Sequence, residues 1–371
     1  MNRQRLAISI LPFVSLVLAA CGGTTSPTPG SQPGSGGAPT VSDAGGPPPQ
    51  ANPDAKPPAT GGSGGAAAGT GGVNGTGGTA DAGTVSDATS DGAADAVVDR
   101  GPPTPGVLPK FPGTGAPYGN GHLRFNFPAN GKTITVYAPQ KPRDGLPWVW
   151  HGEFPDVIPN TNNAWLNKGL MIVYVNGASE MYGCPDVVKV WQAAYDTLVN
   201  TYHFSAKMVV TGISRGGLYA YNFAAANPEK VAGIYADNGT CDFRSWPGGK
   251  PLGDPRWVGP GDGPSWQTVL NVYHFKSNAE AIAYMLNPID NLAPLAKAGV
   301  KLLHVTAQMD TALPWTENTG IVMDRYPKLG GDFQVIFKPN ADHHPHGLED
   351  DPSRIIDWTV ATLASANGLP P

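Results

Sequence analysis

From residue 107 onward the chain alternates between short apolar runs and longer stretches with helical spacing. Residues 122–127 and 132–138 alternate apolar and polar side chains, the period of a half-buried strand. The turn signal Pro128-Ala129-Asn130-Gly131 between them predicts an antiparallel hairpin. Apolar runs at 146–150, 170–175, 207–211, 231–236, 301–306 and 333–338 follow, separated by helical patterns. Short apolar strands alternating with helices predict an α/β fold with a mostly parallel central sheet covered on both faces. One helix carries Val187, Val190, Trp191, Ala194 and Leu198 on a single stripe, a second runs from Leu218 to Ala225 and stops before Pro228, and a third runs from Ile355 to Leu363. The stretch from about 240 to 288 breaks the alternation. It is rich in Gly, Pro and aromatic residues (Trp246, Trp257, Trp266, Tyr273, Phe275) before it turns helical, and it reads as a cap insertion after the sixth strand.

Composition changes this picture at the N-terminus. The chain holds 49 Gly and 39 Pro in 371 residues, and 22 of the Gly and 13 of the Pro fall within residues 22–106, where there is no Phe, Tyr or Trp. Such a segment buries too little apolar surface to offset the entropy of ordering it, so residues 22–106 read as a disordered linker. As a Gly-rich coil its r.m.s. span is about 50 Å. Ahead of it, Arg3 and Arg5 precede an apolar run from Leu6 to Ala20, the proportions of a signal peptide and too short for a comfortable membrane span. That run ends in Leu18-Ala19-Ala20-Cys21, which resembles a bacterial lipobox. The resemblance implies lipidation at Cys21, a membrane partner reached through that lipid, and a place in the cell envelope. The lack of an acidic residue after Cys21 is similar to lipoproteins sent to the outer membrane. Residues 107–371 suit one domain with a substantial core. The net charge of −5 is concentrated in the linker, so no segment is a polyelectrolyte suited to nucleic acid. The remaining cysteines, Cys184 and Cys241, lie in a chain bound for a compartment that permits disulfides, and a bridge between them is open to test.

The candidate chemistry begins at Thr211-Gly212-Ile213-Ser214-Arg215-Gly216-Gly217, which follows a β-run and opens a helix. In that context Gly-x-Ser-x-Gly places Ser214 on a sharp strand-to-helix turn, with Gly212, Gly216 and Gly217 relieving the crowding, and the Arg215 N–H pointing where an oxyanion would form. The alternative use of Ser214 is as a plain helix cap. A serine hydroxyl needs a base, and the base an acid, in chain order Ser, Asp, His. Asp310, just past the 301–306 strand, is the favoured acid, with Asp237 after the 231–236 strand as competitor. The base comes from Asp342-His343-His344-Pro345-His346, with His343 favoured over His346 and His344. Those four ligand types also raise a metal site, which Pro345 and the absence of a helical i, i+4 ligand pair argue against. The sequence therefore calls for no metal and no cofactor. The second oxyanion donor is expected in His151-Gly152-Glu153-Phe154, from the N–H of Gly152 or Glu153, with His151 itself structural. Glu153, Tyr182 and Arg215 are candidates to line the pocket.

With Ser214, Asp310 and His343 in this order, residues 122–365 resemble the α/β-hydrolase superfamily. They are most similar to secreted bacterial members grouped with esterases and prolyl-oligopeptidase-like serine hydrolases, through residues 214–218, 241–249, 287–292 and 343–347. The resemblance implies the α/β-hydrolase fold and a Ser-His-Asp hydrolase working through a covalent acyl-enzyme. One departure is Asp342, where that family has Gly before the histidine; it sets a second carboxylate beside the base. The expected function is hydrolysis of carboxylic esters, small or polysaccharide-linked, since tryptophan faces in the cap would suit a sugar ring. The alternatives are a prolyl-oligopeptidase-like peptidase, for which the chain has no room for a gating domain, and a non-catalytic surface-binding lipoprotein.

Overall fold

A computed structural model describes residues 105–370. The signal peptide, Cys21 and all but the last two positions of the linker lie outside the described residues. The hairpin forms as expected: β2 (His122–Ala129) and β3 (Lys132–Ala138) pair antiparallel. They turn through Asn130 and Gly131, both at positive φ (51° and 75°), the combination a two-residue type I′ turn requires. A short strand not evident in the sequence, β1 (Ala116–Tyr118), adds to the outer edge of β2. β4 (Trp148–His151), β5 (Met171–Asn176), β6 (Met208–Ile213), β7 (Val231–Asp237), β8 (Lys301–Ala307) and β9 (Phe333–Lys338) are mutually parallel, and the nine-stranded order is β1-β2-β3-β5-β4-β6-β7-β8-β9. Because of β1, the insertion follows the seventh strand rather than the sixth.

The strands are apolar at successive positions because both faces of the sheet are covered. Trp148, Trp150, Val210, Ile234 and Leu302 point into one core with α2 (Pro185–Tyr202) and α3 (Gly216–Ala226), where Trp150 stacks on Trp191 with ring centroids 4.5 Å apart. Val149, Val209, Tyr235 and Leu303 point into a second core with α1 (Pro159–Asn167), a helix the sequence pattern did not show, and the C-terminal helix at Ser353–Asn367. In the stripe of α2, Val187, Trp191, Ala194 and Leu198 are buried and Val190 is half-buried at its rim.

The segment between β7 and β8 holds helices at Gly263–Val272, Asn278–Ile282 and Ala293–Lys297. Its aromatic residues mostly face inward. Phe243 packs on Trp266, Tyr273, Phe275 and Tyr284, and Trp257 is buried as well. Tyr273 Oη donates to the Tyr182 carbonyl at 2.8 Å, fixing the insertion to the loop before α2. Cys184 and Cys241 are both free thiols, so the bridge is not formed. Cys184 precedes α2 and lies near Tyr273 and Tyr284, whereas the Cys241 thiol hydrogen-bonds the Gly239 carbonyl near Tyr221. At the start of the described chain, the Gly106 N–H donates to Asp144 Oδ1 at 2.7 Å, and Arg143 next to it donates to the Pro370 carbonyl.

Candidate active site

Three loops at the C-terminal ends of β6, β8 and β9 meet, the edge at which open α/β sheets collect their ligands. The first is the turn from β6 into α3. Ser214 stands there at φ 49°, a left-handed conformation strained for any residue but glycine. The turn is held from both sides: the Ser214 N–H donates to the Asp237 carbonyl at 3.0 Å, and the Ser214 carbonyl accepts from Thr240 N at 2.8 Å. Its glycines are needed for close approach. A Cβ on Gly217 would lie 2.5 Å from the Thr240 oxygen, and one on Gly212 would lie 2.8 Å from the Gly217 Cα.

Ser214 Oγ lies 3.0 Å from His343 Nε2, and His343 Nδ1 lies 2.7 Å from Asp310 Oδ2. The other Asp310 oxygen accepts the N–H of Ala312 (3.0 Å) and Leu313 (2.7 Å), which fixes the carboxylate on the loop after β8. The Asp310 side chain is 1% exposed and that of His343 is 15% exposed, so the relay opens to solvent at its imidazole end. Asp342 makes its hydrogen bonds to Thr311 and to the main chain of its own loop. Its Oδ1 accepts the N–H of Thr311 and of His343, both at 2.8 Å, and these bonds hold its carboxyl below the usual range. A carboxylate that bonds two main-chain donors thus shapes the loop where the resembling family has glycine.

Asp237 and His346, the competing acid and base, form a separate pair. Asp237 is fully buried and takes hydrogen bonds from His346 Nδ1 (2.9 Å), Tyr235 Oη (2.7 Å) and Gly347 N (2.7 Å), with Lys338 Nζ 3.9 Å away. Burial works to raise its pKa, yet the bond from His346 and the Lys338 charge leave it below the ordinary value. His344 is exposed.

A residue the sequence reading passed over, Asn238, ties the site together. It sits at φ 42° directly after β7. Its amide oxygen accepts from Ala307 N (2.7 Å) at the end of β8 and its Nδ2 donates to the His343 carbonyl (2.7 Å). Asparagine tolerates positive φ better than most residues, so Asp-Asn-Gly at a strand end was the signal available.

The expected oxyanion donor Gly152 is corrected. Its N–H extends the β4–β6 ladder by donating to the Thr211 carbonyl at 2.9 Å and is already used. The next amide, Glu153 N, packs against the Ser214 turn, 3.1 Å from where a Gly216 Cβ would stand. Like the Arg215 N–H, it donates to no acceptor among the described residues. His151 is buried and structural, with Nδ1 2.9 Å from Thr211 Oγ1 and Nε2 2.9 Å from Asn162 Oδ1. The Arg215 guanidinium pairs with Glu180 at 2.7 Å and lies 5.1 Å from the Phe154 ring centroid and 5.7 Å from that of Tyr182. Glu153 is buried beside it, its Oε1 4.0 Å from Arg215 Nε; desolvation raises its pKa against the pull of that charge. These residues form one charged and aromatic wall next to Ser214.

No protein-family profile and no curated protein matches the chain. Solved structures do. A puromycin-hydrolyzing peptidase of Mycobacterium tuberculosis overlies 68% of this chain and 40% of its own with a TM-score of 0.51 at 14% identity. A puromycin hydrolase overlies 67% of this chain and 40% of its own with a TM-score of 0.50 at 17% identity. A 2,6-dihydroxy-pseudo-oxynicotine hydrolase covers 67% of this chain and 70% of its own at 20% identity, with a TM-score of 0.48. The chain thus spans 40% of the length of the two puromycin hydrolases, and what it has in common with them is architecture: it has the α/β-hydrolase fold.

Proposed function

We propose that the chain is a serine hydrolase of carboxylic esters, working through an acyl-enzyme on Ser214. The observation that carries this reading is the continuous relay from Ser214 Oγ through His343 to Asp310, at 3.0 and 2.7 Å. In the proposed cycle Ser214 Oγ bonds to the ester carbonyl carbon while its proton passes to His343 Nε2. The oxyanion is held by the N–H groups of Arg215 and Glu153, and Asp310 stabilises the imidazolium. Collapse breaks the ester bond, the leaving alkoxide takes the proton from His343, and water then repeats both steps to release the acid. A binding protein would have no need of this relay, which counts against a non-catalytic role.

A carbohydrate-linked ester is the proposed natural substrate class, on narrower support than the cap sequence promised. Trp257 and Trp266 belong to the core, which leaves Trp246, 6.0 Å from Tyr182 and half-buried, as the indole nearest the charged wall. The amide alternative keeps a place because two proteins with this fold hydrolyse puromycin. The enzyme is proposed to work from the envelope, lipid-anchored at Cys21. The test is turnover of p-nitrophenyl acetate by the full chain, followed by acetylated sugars and puromycin. Ser214→Ala and His343→Ala should each lose more than about a thousandfold in kcat. A folded wild type that neither turns over these substrates nor reacts with a serine-directed phosphonate would refute the reading.

A further inference from the structure

The loop after β9 carries more imidazole than the proposed relay uses. The rings of His343, His344 and His346 stand 4.9, 5.0 and 4.7 Å apart, centroid to centroid, at interplanar angles of 82°, 83° and 84°. Three mutually perpendicular rings make the walls of a cup, and one ligand nitrogen from each lies within 4.8 Å of the others.

Two of the walls are backed by carboxylates. His343 Nδ1 meets Asp310 and His346 Nδ1 meets Asp237, at 2.7 and 2.9 Å. A carboxylate on the far ring nitrogen is how proteins orient a ligating histidine and raise its basicity, and here it leaves Nε2 of both rings to ligate. His344 makes no hydrogen bond among the described residues, and its ring stands against those of both His343 and His346, so its ring nitrogens are open to a ligand. Asp342 is held by Thr311 and the His343 N–H. The donor set is therefore three imidazoles without a first-contact carboxylate, which suits zinc and its neighbours in the transition series and not magnesium or calcium.

We infer that His343, His344 and His346 form a binding site for a divalent transition metal of the zinc class, and that the metal and the Ser214–His343 contact exclude each other. The His343 Nε2 lone pair either accepts the serine proton or binds the metal. Nitrogens around a tetrahedral zinc stand about 3.4 Å apart, given Zn–N bonds of about 2.0–2.1 Å. His344 is exposed and can swing inward to close the difference. The binding half of the inference stands on geometry alone; the inhibitory half rests on His343 as the base of Ser214. Pro345, which on sequence argued against such a site, instead lies in the short bend that brings His344 and His346 round to face His343.

The test is calorimetric titration of the chelator-treated full chain with zinc chloride and, separately, magnesium chloride, on wild type and His344→Ala, with phosphonate labelling of Ser214 followed in parallel. The expected result is one zinc per chain, no magnesium, at least tenfold weaker zinc binding in His344→Ala, and zinc slowing the labelling of wild type more than tenfold while sparing the variant. No zinc binding, equal binding of magnesium, or binding that survives His344→Ala unchanged overturns the site. Zinc that binds through His344 yet leaves labelling unslowed overturns the exclusion. His344-dependent binding in a chain that is inert to esters and phosphonate upholds the metal site and sinks the hydrolase reading instead.

Discussion

Asp237 and Asp310 stand at the ends of adjacent strands, and each holds one histidine of the same loop, yet their surroundings differ. Asp310 is fixed by two backbone N–H groups and faces the imidazole that reaches Ser214. Asp237 is sealed among Tyr235, His346, Gly347 and Lys338 and joins the end of β7 to the loop after β9. Asp310→Asn should lower kcat by about 10³–10⁴-fold with little change in the unfolding midpoint, because it removes the charge that stabilises the imidazolium. Asp237→Asn should do the reverse, losing about 3 kcal/mol or more of stability from a broken buried pair while kcat falls less than tenfold. Urea unfolding and steady-state kinetics on both variants check this, and a large kcat loss with normal stability in Asp237→Asn would reverse the assignment. At this scale the sequence made Ser214, Asp310 and His343 legible, because chain order and strand ends constrain them. It could not show that the Gly152 N–H is consumed by Thr211 or that Asn238 clamps the His343 carbonyl, since both bonds join segments distant in sequence.

Two buried histidines act as pins between elements. His151 on β4 joins Thr211 on β6 to Asn162 on α1, and His304 on β8 joins Tyr221 on α3 to Thr319, which opens the helix after it. Desolvation pushes their pKa values down to about 4 and about 3 from an ordinary 6.5. Below pH 6.5 the unfolded chain takes up protons that the folded chain refuses, so their stabilising contribution is whole above that pH and is lost as pH falls toward 4 and then 3. His151 alone should account for about 3 kcal/mol of that loss. Urea midpoints measured across this window should decline before most carboxylates titrate, and a flat profile down to about pH 4.5 would contradict it. Most elements could be read in advance because their apolar period is strong. β1 and α1 could not: three exposed or half-buried residues carry no pattern, and α1 buries Thr161 and Asn162 beside Trp165 and Leu166, so polar residues occupy its inner face.

At the scale of the whole molecule, no helix among the described residues is long and apolar enough to cross a membrane, and the attachment proposed is the lipid on Cys21. Cys21→Ala should move the protein from the membrane fraction to the soluble fraction with kcat unchanged; fractionation of the producing cells checks this, and retention in the membrane fraction would refute lipid anchoring there. Gly106 is fastened to Asp144, and Pro370 is fastened to Arg143, on the loop that leads into the N-terminal end of β4. Ser214 lies past the C-terminal end of the neighbouring parallel strand β6. Gly106 and Pro370 are therefore at one pole of the sheet and the Ser214 hydroxyl at the other, like the handle and the blade of a tool. A domain held rigidly at Gly106 or Pro370, on a resin or through a short fusion, would keep its Ser214 end turned outward, toward substrates too large to diffuse.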